Sequence, residues 1–488
     1  MCNTRWVIFL NFLQNYYKQM LFWICFVGAV FAVYKAEVLF TKTMKHVDGV
    51  FATSMVLKKS TLIQIDSDVT MSLGKFVFFA RDVITGERYK VTQSQSSDMK
   101  IQFGDCLRVA GTMSIPKTQN TNSQDETSPL YVFPYREYLA KDDVYLLLHV
   151  KNATTVFDCP KLSSYAKLQL FFMKQKEKLT QIFLTRYEQP YAGFAAGVLV
   201  AGKGLLDKNS LDIFKRTSLS HTVVLSGSNI SIILVCIKIF VDMLFFWKKE
   251  KGWLIELIQK IIILASVWSF MLLTGGGAPI YRAVASAYCG MILFQEKTSQ
   301  VYSLTVTVLI LTIISPFQTL YDPSFHLTCC ATYGLILFSK PIDAWIRLSY
   351  VRWVPSWLRE ILSVTLATQV FVFPYIIYMT SSFSSVFLVS NVLVLPIIPI
   401  VMFFGFITLC GDMFDIQFLV EVSVYLNNFF LHLIFYIVRC LADVPYGYIV
   451  MTKTTSVYVL VVYGLLLSFL IILSLCKGDK SLLYNTPV

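Results

Sequence analysis

Long apolar runs and one polar stretch alternate along this chain, and the alternation divides it. Apolar runs of membrane-crossing character lie near residues 20–40, 221–247, 255–274, 278–295, 301–315, 324–339, 361–379, 384–409, 417–440 and 455–476. A helix needs about 20 mostly apolar residues to cross a bilayer, so the pattern predicts about ten spans. Between about 50 and 157 it shortens to β-branched and aromatic runs: VFATSMVL, TLIQI, KFVFFA, YKVTQ, CLRVAGTMSI and VYLLLHV, with breaks such as DVITGERY. Such runs predict strands. Roughly a hundred residues of them predict a small barrel or sandwich, with the OB-fold among the candidates. The segment PKTQNTNSQDETSP at 116–129 is polar, bounded by prolines, and predicts a loop.

Composition agrees with the pattern. The 488 residues are 56% hydrophobic, with a mean hydropathy of +0.61. That places the chain among integral membrane proteins with one soluble insertion. The net charge of +12 is unevenly spread: residues 45–160 are close to neutral, while 161–216 carry about six excess positive charges. With the N-terminus inside, four charged loops fall in the cytoplasm: 248–251, 296–297, 340–359 and the tail with Lys477 and Lys480. The positive-inside rule then favours both ends inside and residues 41–220 outside. Residues 20–40 follow Lys18 without a small-residue cleavage pattern, so they read as an anchor rather than a signal peptide. The expected fold class is a polytopic α-helical membrane protein with an extracytoplasmic β-rich, OB-like domain inserted after the first span. The expected divisions are an anchor (1–40), the β domain (41–160), basic amphipathic or interfacial helices (161–220), a helical core (221–476) and a tail (477–488).

One residue stands out inside the apolar runs. Arg282 follows a triple glycine and a proline in GGGAPIYR. An arginine at the centre of a membrane helix costs about 2.5–3.5 kcal/mol on insertion scales, so it persists where it faces water, a partner or a substrate. Gly275, Gly276 and Gly277 break the preceding helix, and Pro279 suits the first turn of the next. A cation within a turn of a helix N-terminus makes sense if an anion visits both. The competing reading is a snorkelling arginine with a carboxylate partner.

Other segments add smaller clues. Residues 161–187 have Leu168, Phe172, Leu179, Ile182 and Phe183 at roughly helical spacing, with Lys167, Lys174, Lys176 and Lys178 elsewhere on the wheel. They predict a basic helix lying on a membrane or packed on the bundle. The next segment, YAGFAAGVLVAGKGLL, is short and rich in small residues, which predicts a re-entrant or interfacial piece packed on other helices. Asp322-Pro323 predicts an ordinary helix start, and His326 a satisfied membrane-facing or core histidine, with contact to phosphate or water as the alternative. Ser226, Gly227, Ser228 and Asn229 supply hydroxyls, an amide and a small residue in mid-segment, suited to a polar path or a close helix contact. Cys106 and Cys159 are the only cysteines in the soluble region, and an exported location makes a disulfide between them an expectation.

Together these motifs resemble the ComEC-type competence family of DNA-uptake channel proteins. The stretch GVLVAGKGLLDKNSLDIFKRTSLSHTVVLSGSNISI resembles the family's signature region, with His221, Ser226 and Gly227 matching and Asn229 standing where many members have a second histidine. GGGAPIYRA resembles its Gly-Ala/Ser-Pro-x-x-Arg helix start, and DPSFHLTCCATYGLILF its Asp-Pro-x-Phe-x-Leu-Ser segment, with Thr328 for the usual serine. SSFSSVFLVSNVLVLPIIP resembles a later span, with Asn391 and Pro396 in register, and GDCLRVAGTM and FPYREYLA resemble the external OB-like domain. The resemblance implies a channel in the bacterial cytoplasmic membrane that carries single-stranded DNA inward during transformation. Ser226, Gly227, Ser228, Asn229, His221 and Arg282 would be candidates for the DNA pathway. Many members continue into a metallo-β-lactamase-like domain. This chain has only five scattered histidines and no Walker A sequence. No enzyme activity and no cofactor are therefore expected; a DNA receptor, a nuclease and a motor would be separate partners, and membrane lipids the surroundings. The alternative reading is a secondary transporter of a small anionic solute.

Overall fold

A computed structural model of the chain describes residues 24–45, 55–56, 61–67, 69–72, 75–94, 101–116, 131, 133–156, 164–200, 205–223, 253–275, 280–282, 284–285, 300–348 and 355–476. Their contacts form two compact units, one drawn from Met1–Thr118, Pro134–Lys176 and Ile233–Phe325, the other from Gln119–Phe133, Glu177–Ile232 and His326–Val488.

The first unit begins with helix α1 (Ile24–Lys45). Strands β1 (Met55–Val56), β2 (Thr61–Ile65), β3 (Thr70–Ser72), β4 (Lys75–Asp82), β5 (Arg88–Ser94), β6 (Cys106–Ser114) and β7 (Val144–Val156) follow, with helix α2 (Tyr135–Ala140) between the last two. Pairing runs from β6 through β2, β4 and β5 to β7, and β7 pairs back with β6. Five strands thus close on themselves, with β5 and β7 parallel and the other closing pairs antiparallel. This small barrel is consistent with the OB-like expectation, and closure leaves those strands no open edge. Alternate residues fill it: Ile63 and Ile65, Phe78 and Ala80, Tyr89 and Val91, Leu107 and Val109, Leu146 and Leu148. That is the period of two by which successive strand side chains point to opposite faces.

The barrel is tied to helices of the same unit. Phe40 of α1 packs against the barrel core and lies 6.3 Å from the Tyr145 ring and 5.6 Å from that of Phe317. Phe317 belongs to α9 (Pro316–Tyr321), which follows α8 (Gln300–Ile314). Lys141, just after α2, donates from Nζ to Asp322 Oδ2 at 2.8 Å, with side chains 15% and 5% exposed. Its ammonium also sits 3.9 Å from the centre of the Tyr138 ring. Burial alone would lower the Lys141 pKa, but the interactions with Tyr138 and Asp322 hold it above the ordinary value, so the lysine keeps its charge.

The second unit is helical. It takes in the later part of α3 (Ser164–Arg186), then α4 (Tyr191–Val200), α5 (Lys208–Arg216) and α6 (Ser220–Val223). With α7 (Trp253–Thr274) counted in the first unit, the remaining elements are the larger part of α10 (Pro323–Leu348), α11 (Ser356–Thr380), β8 (Ser382–Ser384), α12 (Phe387–Val394), α13 (Ile398–Met413), α14 (Gln417–Ala442), β9 (Tyr448–Val450) and α15 (Lys453–Cys476). The small-residue segment expected to be a re-entrant or interfacial piece packed on other helices is indeed packed on them: every residue of α4 from Ala192 to Val200 is buried. Phe194 of α4 stacks on Phe214 of α5, and both meet Phe435 of α14 edge-on. Tyr187 hydroxyl joins Thr408 at 2.8 Å and accepts from Asn427 at 3.1 Å, and Thr408 reaches Ser423 at 2.9 Å. Such interhelical hydrogen bonds hold apolar helices together where burial alone gives no preference. Pro374 lacks the N–H that would bond Val370 in α11, and the Tyr463 hydroxyl takes the Val370 carbonyl at 2.6 Å instead.

Among the described residues, four helices are long and apolar enough to cross a bilayer: Ile24–Lys45, Leu257–Thr274, Ser356–Thr380 and Gln417–Ala442. The pair α12 and α13, bent by 40° at a short break, makes five if it counts as one span. The count of ten is not reached. Expected spans 221–247 and 278–295 fall mostly outside the described residues, and α8, at 15 residues, is shorter than a full crossing requires.

The Lys141–Asp322 pair generates a prediction. Asp322→Asn keeps a capping oxygen but loses the charge, and Lys141→Met loses the cation; removing one partner of a buried pair costs about 3–5 kcal/mol. Each single variant should lower the melting temperature of the purified protein in detergent, and the double variant should lower it by less than their sum. Strict additivity would show that the two residues do not act as a pair.

Candidate functional site

Each unit holds one group of the residues singled out by sequence. In the first, α7 ends as expected at the glycines. Thr274 Oγ1 turns back onto Phe270 O and Met271 O at 2.9 and 3.1 Å. Gly275 follows with φ at +79°, a left-handed conformation that glycine adopts at little cost after a helix. Lys176 of α3 donates from Nζ to Thr274 O at 3.3 Å, at the negative end of that helix. Gly276, Gly277 and Pro279 lie outside the described residues. Ile280–Arg282 are helical; Ile280 is buried, Tyr281 exposed, Arg282 half-buried and Val284 buried. Arg282 therefore lies on helical backbone seven residues after Gly275, between Tyr281 and Ala283 in sequence.

Asp322 and Pro323 form the expected helix start. Asp322 Oδ1 accepts from Ser324 N at 2.9 Å while Oδ2 holds Lys141, so one carboxylate caps a helix and closes an ion pair. The capping half was legible in sequence; the lysine was not.

In the second unit the signature segment folds as helix, tight turn, helix. Asp207 caps α5, its carboxylate accepting from Ser210 N at 3.3 Å. The helix ends at Thr217, and Ser218 turns left-handed with φ at 63°. Leu219 N then reaches back to Phe214 O at 2.8 Å. His221 follows in α6, exposed, with Nδ1 3.2 Å from Ser218 O. Two other segments clasp this turn. Gly197 brings α4 so close that a Cβ there would lie 2.8 Å from Val223 O. Ser390 of α12 donates its hydroxyl to Thr217 O at 2.7 Å, both residues fully buried. Ser226, Gly227, Ser228 and Asn229, next along the chain, lie outside the described residues.

Asn391, beside Ser390, is 5% exposed, and its Oδ1 has no hydrogen-bond partner among the described residues. Pro396 stands in the break between α12 and α13, where its fixed φ and missing N–H suit a bend. His326 is half-buried and meets the Tyr375 hydroxyl at 2.8 Å, the partner expected of a satisfied histidine. Sequence reasoning did not single out Ser390, Lys141 or the Tyr187 network. A run of polar residues at 423, 427 and 428 inside an apolar helix was the available signal for the last.

The clasp at Thr217 generates a prediction. Ser390→Ala leaves a buried carbonyl without its partner, which costs about 1–3 kcal/mol. A lower melting temperature in detergent is expected, and an unchanged one would contradict the clasp.

No curated protein and no solved structure matches the chain. The family described as competence protein matches residues 198–476, more than half of the chain, and takes in the signature turn, the glycine break, the Asp322-Pro323 start and the Asn391 segment. The chain belongs to the ComEC-type competence protein family.

Proposed function

We propose that the protein is a membrane conduit for single-stranded DNA entering the cell during competence. The observation that carries this reading is Arg282, a half-buried cation seven residues after the left-handed Gly275, with helical backbone at 280–282, in a stretch of strongly apolar sequence. DNA carries a charge on every nucleotide and cannot cross hydrocarbon unscreened. A conduit must supply water, polar side chains and fixed positive charge. Arg282 would supply the charge, and Ser226, Ser228, Asn229 and His221 the polar lining. Membership of the competence family supports the same reading.

The topology follows from charge. About ten spans cross the bacterial cytoplasmic membrane, both ends lie in the cytoplasm, and the barrel faces outward. The barrel would receive DNA from a separate receptor; strand degradation and the driving motor belong to partner proteins, and the chain itself is no enzyme. Cys106 and Cys159 form a disulfide in that oxidising location. Support comes from the β6–β7 register, which sets Cys106 opposite Val156, three residues before Cys159 in sequence, although Cys159 lies outside the described residues.

Three measurements test this. A strain lacking the gene should lose uptake of labelled DNA and regain it with the wild-type copy; unimpaired uptake in the deletion strain would overturn the conduit. A membrane-impermeant thiol reagent should reach Ser123→Cys in intact cells, and labelling only after lysis would invert the topology. Mass spectrometry of non-reduced peptides should find Cys106 joined to Cys159, a bridge contributing roughly 4 kcal/mol on the loop-entropy account; two free thiols in protein from the native envelope would remove it.

A further inference from the structure

We propose that α14 lines an aqueous groove with one polar stripe, Glu421, Asn428, His432 and Arg439, and that this groove is a wall of the DNA path; the second half rests on the conduit reading above. The four residues are spaced by seven, four and seven positions in an otherwise apolar span. At 3.6 residues per turn that spacing sets them within about 40° of one another. At 1.5 Å per residue it draws them out over about 27 Å, close to the depth of a bilayer's hydrocarbon. Two further polar residues of the helix, Ser423 and Asn427, lie on the opposite face, where they are buried and bond to Thr408 and Tyr187. Phe418, Tyr425, Phe429 and Tyr436 are exposed on a third face, suited to lipid. The stripe runs between the packed face and the lipid face.

What the stripe meets decides its role. Glu421, His432 and Arg439 are exposed and Asn428 is half-buried. Arg186 and Arg359 each find a carboxylate, whereas Glu421 and Arg439 have no ion-pair partner among the described residues. Lying toward the two ends of the helix, those two alone would reach the headgroups by snorkelling. Asn428 and His432 stand in the middle of the span and are too short to do so. The Tyr191 hydroxyl meets His432 Nδ1 at 2.9 Å. The other ring nitrogen has no partner among the described residues, and neither has Asn428 Oδ1. Hydrocarbon supplies no hydrogen bond, so each polar group left unmet there costs about 1–3 kcal/mol. A second copy packed in parallel through the stripe would set Glu421 against Glu421 and Arg439 against Arg439. Water meets all four residues without that repulsion, and a hydrated strand needs such a wall.

The test reads water directly. A thiol reacts with a methanethiosulfonate as its thiolate, a charged form that water supports and hydrocarbon does not. Asn428→Cys and His432→Cys are compared with Val422→Cys and Phe429→Cys, both at exposed apolar positions. The membrane-impermeant sulfonatoethyl reagent is applied to intact cells and to inside-out vesicles. Mass spectrometry of the peptides assigns each adduct, because the chain has eleven cysteines of its own. The stripe positions should react at least roughly tenfold faster than the controls. Equal rates, or protection of the stripe positions, would overturn the proposal, because lipid or a protein partner then covers the stripe. His432→Cys gives up the Tyr191 bond; should it fail to accumulate, Asn428→Cys and Glu421→Cys decide against the same controls. Uptake of labelled DNA by the complemented deletion strain then places the groove. A sulfonate attached at Asn428→Cys should lower uptake, and water access with unchanged uptake would overturn the groove's part in the DNA path. If the untreated wild-type copy restores no uptake, the conduit reading has failed, and the labelling rates still decide the stripe.

Discussion

A charge set among apolar helices must be met, and the handling of that constraint organises this protein. Lys141 is met by Asp322 at 2.8 Å, Arg186 by Asp412 at 2.8 Å and Arg359 by Asp343 at 2.7 Å. Taking such groups from water costs several kcal/mol per ion, and only close, well-hydrogen-bonded pairing offsets it. The Asp322 carboxylate goes furthest, because its second oxygen also caps α10 at Ser324 N. One side chain thereby fixes where a helix starts and where a loop of the barrel domain rests.

The signature turn shows the same economy in backbone terms. Ser218 in the left-handed region lets the chain reverse between α5 and α6, and the Ser390 hydroxyl takes Thr217 O, so that buried acceptor has its partner. Gly197 allows α4 to approach the same turn at backbone distance. Two segments that resemble family motifs in sequence, 197–232 and 381–399, thus meet at Thr217 and Ser390, which gives their joint occurrence a physical reason.

Legibility followed the range of the interaction. Local signals were read well. Alternation marked the barrel strands, the apolar run at 417–440 became Gln417–Ala442, and Asp322-Pro323 began a helix as its residue types require. Hydropathy alone did not say which helices α4 meets: its small apolar residues signal close packing, and only its neighbours Phe214 and Phe435 name the partners. Long-range pairs left no trace. Lys141 and Asp322 are 181 positions apart, Tyr187 and Asn427 240, and nothing in either local pattern names the other. The bend between α12 and α13 was half legible, since Pro396 signals a break without fixing its angle.

The central claim is that Arg282 serves passing anions rather than the fold. Uptake of labelled DNA by Arg282→Gln and Arg282→Lys, at membrane levels matched to wild type, tests it most directly. The account predicts that the Gln variant inserts normally and loses uptake, with Lys intermediate because a point charge still neutralises phosphate without the planar fork. Wild-type uptake by a normally inserted Gln variant, or its disappearance from the membrane, would contradict it.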